Sequence, residues 1–173
     1  MKLNGKEITL FKKRHARDYI LYSLIIAVGI LLDQLTKYLC VLYLKGADAI
    51  TIIKGHVLLD YTENRGAAFG MLENHRWIFL IVSTVTIIGL GIYLYLGHAE
   101  NTLYAVAIAM IVSGGIGNMI DRVFLGYVVD FIKVPWFATF NGADSFVCVG
   151  AGLLVLALII DLVKEYKSSK AEG

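Results

Sequence analysis

Proline occurs once in 173 residues, cysteine twice, and charged residues make up only 17% of the chain. A single proline leaves long stretches with nothing to interrupt a helix. Two cysteines without a CxxC spacing exclude a disulfide-stapled scaffold and a cysteine metal centre, so Cys40 and Cys148 read as small apolar residues packed in or beside helices. The histidines, His15, His56, His75 and His98, have no i, i+4 pairing, and no HExxH occurs. A zinc site or a Ser-His-Asp triad therefore lacks a second residue at usable spacing. Ordinary soluble domains are about one quarter charged; this chain is 58% hydrophobic with a mean hydropathy of +0.70, which is the composition of a membrane protein.

What fills the chain is apolar sequence in four long runs, Tyr19 to Tyr38, Trp77 to Leu96, Asn101 to Ile120 and Ser145 to Ile160. A hydrocarbon core of about 30 Å takes about 20 helical residues to cross, so each run is read as a spanning helix. The second and third hold no charged residue, and the first is interrupted only near its end, by Asp33 and Lys37. No small-residue cleavage site follows Leu32, so the first run is expected to be a permanent helix instead of a removable leader. No repeat or low-complexity stretch divides the chain. The expected organisation is a basic cytoplasmic tail over residues 1–18, one four-helix membrane domain over 19–163 and a cytoplasmic tail over 164–173.

Orientation follows from Lys and Arg, which are retained on the cytoplasmic side. Lys2, Lys6, Lys12, Lys13, Arg14 and Arg17 precede the first run, and Lys164, Lys167 and Lys170 follow the last. Both termini are thus expected in the cytoplasm, and the segment from Leu39 to Arg76 outside. Within it Ile50-Thr51-Ile52-Ile53 and the run from His56 to Thr62, separated by Lys54-Gly55, read as a short hairpin. The following Asn64-Arg65-Gly66-Ala67-Ala68-Phe69-Gly70 reads as a small-residue turn. This outer segment fits a plain connector and a surface platform that covers an extended peptide equally well.

Tracing depth along the helices brings the polar side chains to the outer face. Asp33 and Lys37 occupy the last turns of the first helix at i, i+4, acid first, the favourable order. Asn118, Asp121 and Arg122 end the third at i, i+3, i+4, and Asp144 opens the fourth, after a loop carrying Asp130 and Asn141. Each has a structural explanation: Asp33 with Lys37 and Asp121 with Arg122 as ion pairs anchoring helix ends, Ser113, Gly114 and Gly117 as close-approach residues, Asp144-Ser145 as an N-cap. That explanation is weakest for Asp130, flanked by Val128-Val129 and Phe131-Ile132, where an uncompensated carboxylate is costly and tends to mark function. Two carboxylates held close in a dry pocket share a proton. The ionised one can activate water while the protonated one donates to a carbonyl oxygen, as in aspartic proteases.

With these residues in place the chain resembles the type II (lipoprotein) signal peptidases. The matching segments are Asp33-Gln34-Leu35-Thr36-Lys37, the Asn64 to Gly70 turn, Gly114 to Arg122, Val129-Asp130-Phe131 and Phe140-Asn141-Gly142-Ala143-Asp144-Ser145, in the family's order and spacing. The resemblance implies an all-α membrane protein with four transmembrane helices and a small extracytoplasmic β-structure between helices 1 and 2. It implies an aspartyl endopeptidase of the bacterial cytoplasmic membrane that cleaves diacylglyceryl-modified prolipoproteins immediately before the lipidated cysteine. Asp130 and Asp144 would be the catalytic pair, and Asp33, Lys37, Asn64, Gly66, Asn118, Asp121, Arg122, Asn141 and Ala143 the residues that orient pair and substrate. No metal, cofactor or nucleic acid is expected; the partners would be the prolipoprotein and membrane lipids, and the chain is expected to act as a monomer. Two departures are minor: Gly142 stands where the family more often has a bulkier apolar residue, and the segment before Tyr19 is longer than the family needs.

Two other classes remain in view. An ion or proton-coupled transporter also places Asp and Arg in a membrane, but predicts charge at several depths, whereas here the middle and inner halves of the helices are almost uncharged. A structural subunit leaves the apolar setting of Asp130 unexplained.

Overall fold

Four helices are long and apolar enough to cross a membrane: α1 (Ala16–Leu44), α2 (Arg76–Tyr95), α3 (Thr102–Phe124) and α4 (Gly142–Glu172). They belong to a computed structural model that describes residues 2–3, 6–7, 15–66, 76–97, 99 and 101–172. Each expected span lies almost wholly within one of these helices, and α1 and α4 run well beyond the expected limits. Ala67 to Gly70 of the expected turn, and most of the basic leader, lie outside the described residues.

The helix surfaces reverse the usual pattern of a soluble protein. Leu31, Val85 and Leu162 are among many large apolar side chains that point outward, as they must where the solvent is lipid. The central helix is α3, which packs against α1, α2 and α4. It can do so because its buried positions include Ala105, Ala107, Ala109, Ser113, Gly114 and Gly117, and helices in bilayers associate by close packing of small residues. A Cβ on Gly114 would meet the Ala143 carbonyl oxygen and Val147, and one on Gly117 would meet the Asp33 carboxylate. Those two glycines let α3 lie directly against the start of α4 and the end of α1. The half of the bundle near the α1 N-terminus is filled by an apolar cluster including Tyr22, Leu94, Tyr104, Ile108 and Ala157.

At the other end sits a four-stranded antiparallel sheet in the order β3-β4-β5-β6: Ile50–Ile53, Val57–Asn64, Val128–Lys133 and Thr139–Phe140. Among the described residues the other two strands, β1 (Lys2–Leu3) and β2 (Lys6–Glu7), pair with each other. The expected hairpin is β3–β4, turning at Gly55 with φ 77°, a backbone conformation glycine adopts without strain. The sheet is larger than the sequence suggested, because Val128–Lys133, expected as loop, is a strand hydrogen-bonded to β4 with Thr62 opposite Asp130 and Asn64 opposite Val128. The sheet rests on the end of α1, where Cys40, Leu44 and Val129 form a second buried cluster flanked by Leu59, Tyr61, Tyr127 and Phe131.

Candidate active site

Asp130 is 1% exposed and lies on β5 with both oxygens satisfied. The Asn64 side-chain amide donates to Oδ2 at 2.9 Å and the Asn141 amide to Oδ1 at 2.7 Å. Asp144 lies in the first turn of α4, where its Oδ1 accepts from Asn118 Nδ2 at 2.7 Å and its Oδ2 from the Asn141 backbone N–H at 3.2 Å. The Asp144 N–H in turn donates to Asn141 Oδ1 at 3.0 Å. Asn141 is therefore the N-cap of α4 and Asp144 its third residue, joined in a reciprocal capping box. This corrects the expectation that Asp144 itself caps the helix. One asparagine holds both aspartates: its oxygen and backbone fix Asp144, its amide fixes Asp130.

Behind this pair lies a buried ion cluster. Lys37, 3% exposed, pairs with Asp33 at 2.9 Å and Asp121 at 3.1 Å and donates to Asn118 Oδ1 at 2.9 Å. The carboxylates pass the constraint on to the backbone beside each aspartate. Asp33 Oδ1 accepts from the Ala143 N–H at 2.8 Å, next to Asp144, and Asp121 Oδ2 from the Val129 N–H at 3.0 Å, next to Asp130. Three buried charges satisfied on all sides are stable where a single one would not be. Gln34, absent from the expected site residues, ties the cluster together by donating to Asp33 Oδ2, Asp121 Oδ1 and the Gly117 carbonyl at 3.1–3.2 Å. Its place inside the Asp33 to Lys37 segment was the available signal.

The expected Asp121–Arg122 pair does not form, because adjacent helical residues do not face each other. Asp121 turns inward to Lys37, while Arg122 lies 5.0 Å over the Phe79 ring and donates to the Gly66 carbonyl at 3.4 Å. The Gly66 N–H donates to Asn64 Oδ1 at 3.0 Å, which aims the Asn64 amide at Asp130. Every residue expected at the site thus falls within one connected hydrogen-bond network.

A cavity of about 760 Å³ opens beside this network, between α2, α3 and α4. Its walls are apolar, from Phe79, Val82, Leu90, Ile111 and Val147, and its polar end carries Asn64, Asn118, Arg122 and Asp144. Burial pushes the Asp130 carboxyl up to about 6, a rise the Asn64 hydrogen bond opposes and the nearby Asp144 charge reinforces. Such a group exchanges a proton near neutral pH. Among the described residues no group of three or more His, Cys, Asp or Glu side chains is placed to hold a metal ion.

The family model described as signal peptidase (SPase) II matches residues 25–160. The chain belongs to the signal peptidase II family. This family member is 50% identical over 136 residues to a lipoprotein signal peptidase of Caldanaerobacter subterraneus subsp. tengcongensis, covering 78% of this chain and 93% of that protein. It is 39% identical over 156 residues to one of Halalkalibacterium halodurans, covering 88% of this chain and all of that protein. In three dimensions it is similar to a solved bacterial membrane enzyme, with a TM-score of 0.78 and 33% identity, covering 88% of this chain and 94% of that one. As a signal peptidase II family member the chain has the expected fold, four membrane-spanning helices with a small antiparallel sheet.

Proposed function

We propose that this chain is a membrane aspartyl endopeptidase that removes the signal peptide from diacylglyceryl-modified bacterial prolipoproteins, cutting immediately before the lipidated cysteine. The observation that carries the reading is the bridge through Asn141: two aspartates from different elements share one asparagine, and one of the two, Asp144, lines the polar end of an apolar cavity. The signal helix and the diacylglyceryl chains are both lipid-soluble, so they enter sideways between α2 and α4, and the scissile peptide stops at the polar end.

There one carboxylate takes a proton from water as the water oxygen bonds to the scissile carbonyl carbon. The other carboxyl gives its proton to the carbonyl oxygen, so a neutral tetrahedral diol forms without a free oxyanion. Collapse breaks the C–N bond; the nitrogen takes the proton gained from water, and a diol hydroxyl returns one to the other aspartate, leaving the pair as it began. Asn64, Asn118 and Asn141 hold the carboxyls, and Arg122, which lines the cavity, holds the peptide. Lys37, Asp33 and Asp121 are positioning residues that fix the backbone beside each aspartate.

The basic residues at both ends support a topology with the termini in the cytoplasm and the sheet with the two aspartates on the outer face. Incubating the purified protein with a lipidated prolipoprotein should yield the shortened lipoprotein. Asp130→Asn and Asp144→Asn should each lower kcat about 10³-fold or more, with the double variant little worse than either, because the two act as one unit. A single variant that keeps its activity in a correctly inserted protein would remove that residue from the chemistry.

A further inference from the structure

Asn64 reaches Asp130 from β4 with its side chain, and it stands on the last rung of its ladder. The β4–β5 register shifts between Leu59 and Thr62, so the pairs Thr62–Asp130, Glu63–Val129 and Asn64–Val128 form a short terminal segment cut off from the rest. Such an end frays unless something closes it. On the opposite face of the strand, at i, i+2 and i+4, Tyr61, Glu63 and Arg65 build a closed ring with Tyr127, the residue just before β5. Arg65 pairs with Glu63 at 2.8 Å and lies 5.3 Å over the Tyr127 ring; the Tyr61 hydroxyl donates to Glu63 at 3.0 Å and contacts the Tyr127 hydroxyl at 3.3 Å. Lys45, from the end of α1, adds a contact to Glu63 at 3.5 Å and lies 5.1 Å over Tyr61.

We propose that Glu63 and Arg65 form a clasp that holds the Asn64 amide on Asp130, so that a half-exposed ion pair outside the site positions a group inside it. The proposal deepens the peptidase reading, on which its kinetic test rests. Both neighbours of Asn64 in the chain are locked to each other, leaving the side chain between them one direction, toward β5. The Arg65 hydrogen bond holds Glu63 below its ordinary value, which favours the charged carboxylate of the pair. Besides Asn64 and Asn141, Asp130 faces Lys37 and Cys40 of α1, Arg122 of α3 and Asp144 of α4; none of these belongs to the clasp, whose Glu63 lies on the other face of β4 from Asn64 and pairs with Val129 in the register. Loosening the clasp therefore acts on Asp130 through Asn64. It weakens a hydrogen bond that favours the ionised form, so Asp130 takes up its proton at higher pH.

Glu63→Gln and Arg65→Gln are the test, with Arg65→Lys as the conservative rescue. Each Gln variant should lower kcat about tenfold with KM within about twofold, a loss of orientation and not of binding. The limb of the pH profile governed by Asp130 should rise by about half a unit, while Arg65→Lys recovers most of both. The sign is diagnostic for Glu63→Gln, because deleting a negative charge would by itself move the limb down. In an Asn64→Ala background the clasp substitutions should change nothing further. Titration of Asp130 in protein carrying ¹³C-labelled aspartate, assigned through Asp130→Asn, reports the same shift without any cleavage. If the wild-type protein cleaves no prolipoprotein yet the titration shifts, the peptidase reading falls and the clasp stands. An unchanged or lowered titration, or effects additive with Asn64→Ala, overturns the clasp.

Discussion

Asp130 meets two opposed demands at the scale of a single residue. Its burial on β5 penalises the ionised carboxylate, while two asparagine amides favour it. Burial is the larger effect, and the carboxyl is pushed up to about 6. The consequence for stability has a definite sign. The native state binds this proton more tightly than the unfolded chain does, so the contribution is fully present below about pH 4 and lost as pH rises through the folded value. An Asn at the same place carries no proton to lose. Its amide faces two donors, a mismatch that costs the same at every pH. The thermal midpoint of Asp130→Asn should therefore gain on that of the wild type between pH 4 and pH 7, by an amount corresponding to about 2–3 kcal/mol. A difference that stays flat across this window would show that burial does not raise the carboxyl. The apolar neighbours of Asp130 made its burial legible in the sequence. Its two amide partners were named only through the family resemblance, and their direct hold on Asp130 was not legible, because Asn64 lies on a different strand and Asn141 beyond β6, and each reaches Asp130 only through tertiary pairing.

Among elements, the helices and the hairpin were legible because each is specified locally, by apolar length in one case and by alternation around Lys54-Gly55 in the other. The joining of β5 to β4 was hidden: Val128–Lys133 is a short apolar run whose pairing partner lies across two intervening helices. The i, i+4 pair of Asp33 and Lys37 could be read from one helix, whereas the Lys37–Asp121 contact needs α1 and α3 packed, which Gly117 permits. That cluster makes Lys37 the junction of four elements, holding α1 to α3 directly and, through Asp33 and Asp121, to the starts of α4 and β5. Lys37→Met keeps the side-chain length but leaves two buried carboxylates without their cation. It should destabilise the protein by about 3–5 kcal/mol, the range for breaking a buried ion pair. A double variant that also carries Asp33→Asn and so removes one stranded charge should recover part of the loss. Chemical denaturation of the protein in detergent measures both. Equal stability of Lys37→Met and wild type would mean that the cluster does not hold these elements together.

For the whole molecule, polarity is distributed by depth. The Lys37 cluster, the two aspartates and the sheet occupy one end of the bundle, while the other half is closed by the apolar cluster around Tyr22 and Ile108. A transport path would need polar groups through that half as well, so the arrangement favours chemistry at one face over passage across it. Helix α4 supplies a ruler for where that face lies. Its 31 residues extend about 46 Å at 1.5 Å each, against a hydrocarbon core of about 30 Å. With Asp144 in its first turn at one interface, the opposite one is reached about 20 residues on, near Lys164, and the end beyond it, with Lys167 and Lys170, stands clear. In the proposed topology those lysines and the basic residues ahead of α1 lie in the cytoplasm, following the same charge bias, with the β3–β4 turn outside. The labelling test uses residues well separated along this axis. With Cys40 and Cys148 replaced, a cysteine introduced at the exposed position Lys54 should react with a membrane-impermeant thiol reagent added to intact cells. One at Lys167 should react only after the membrane is opened. The opposite pattern would put both aspartates on the cytoplasmic side, where a secreted prolipoprotein has not yet presented its cleavage site, and the peptidase reading would not survive it.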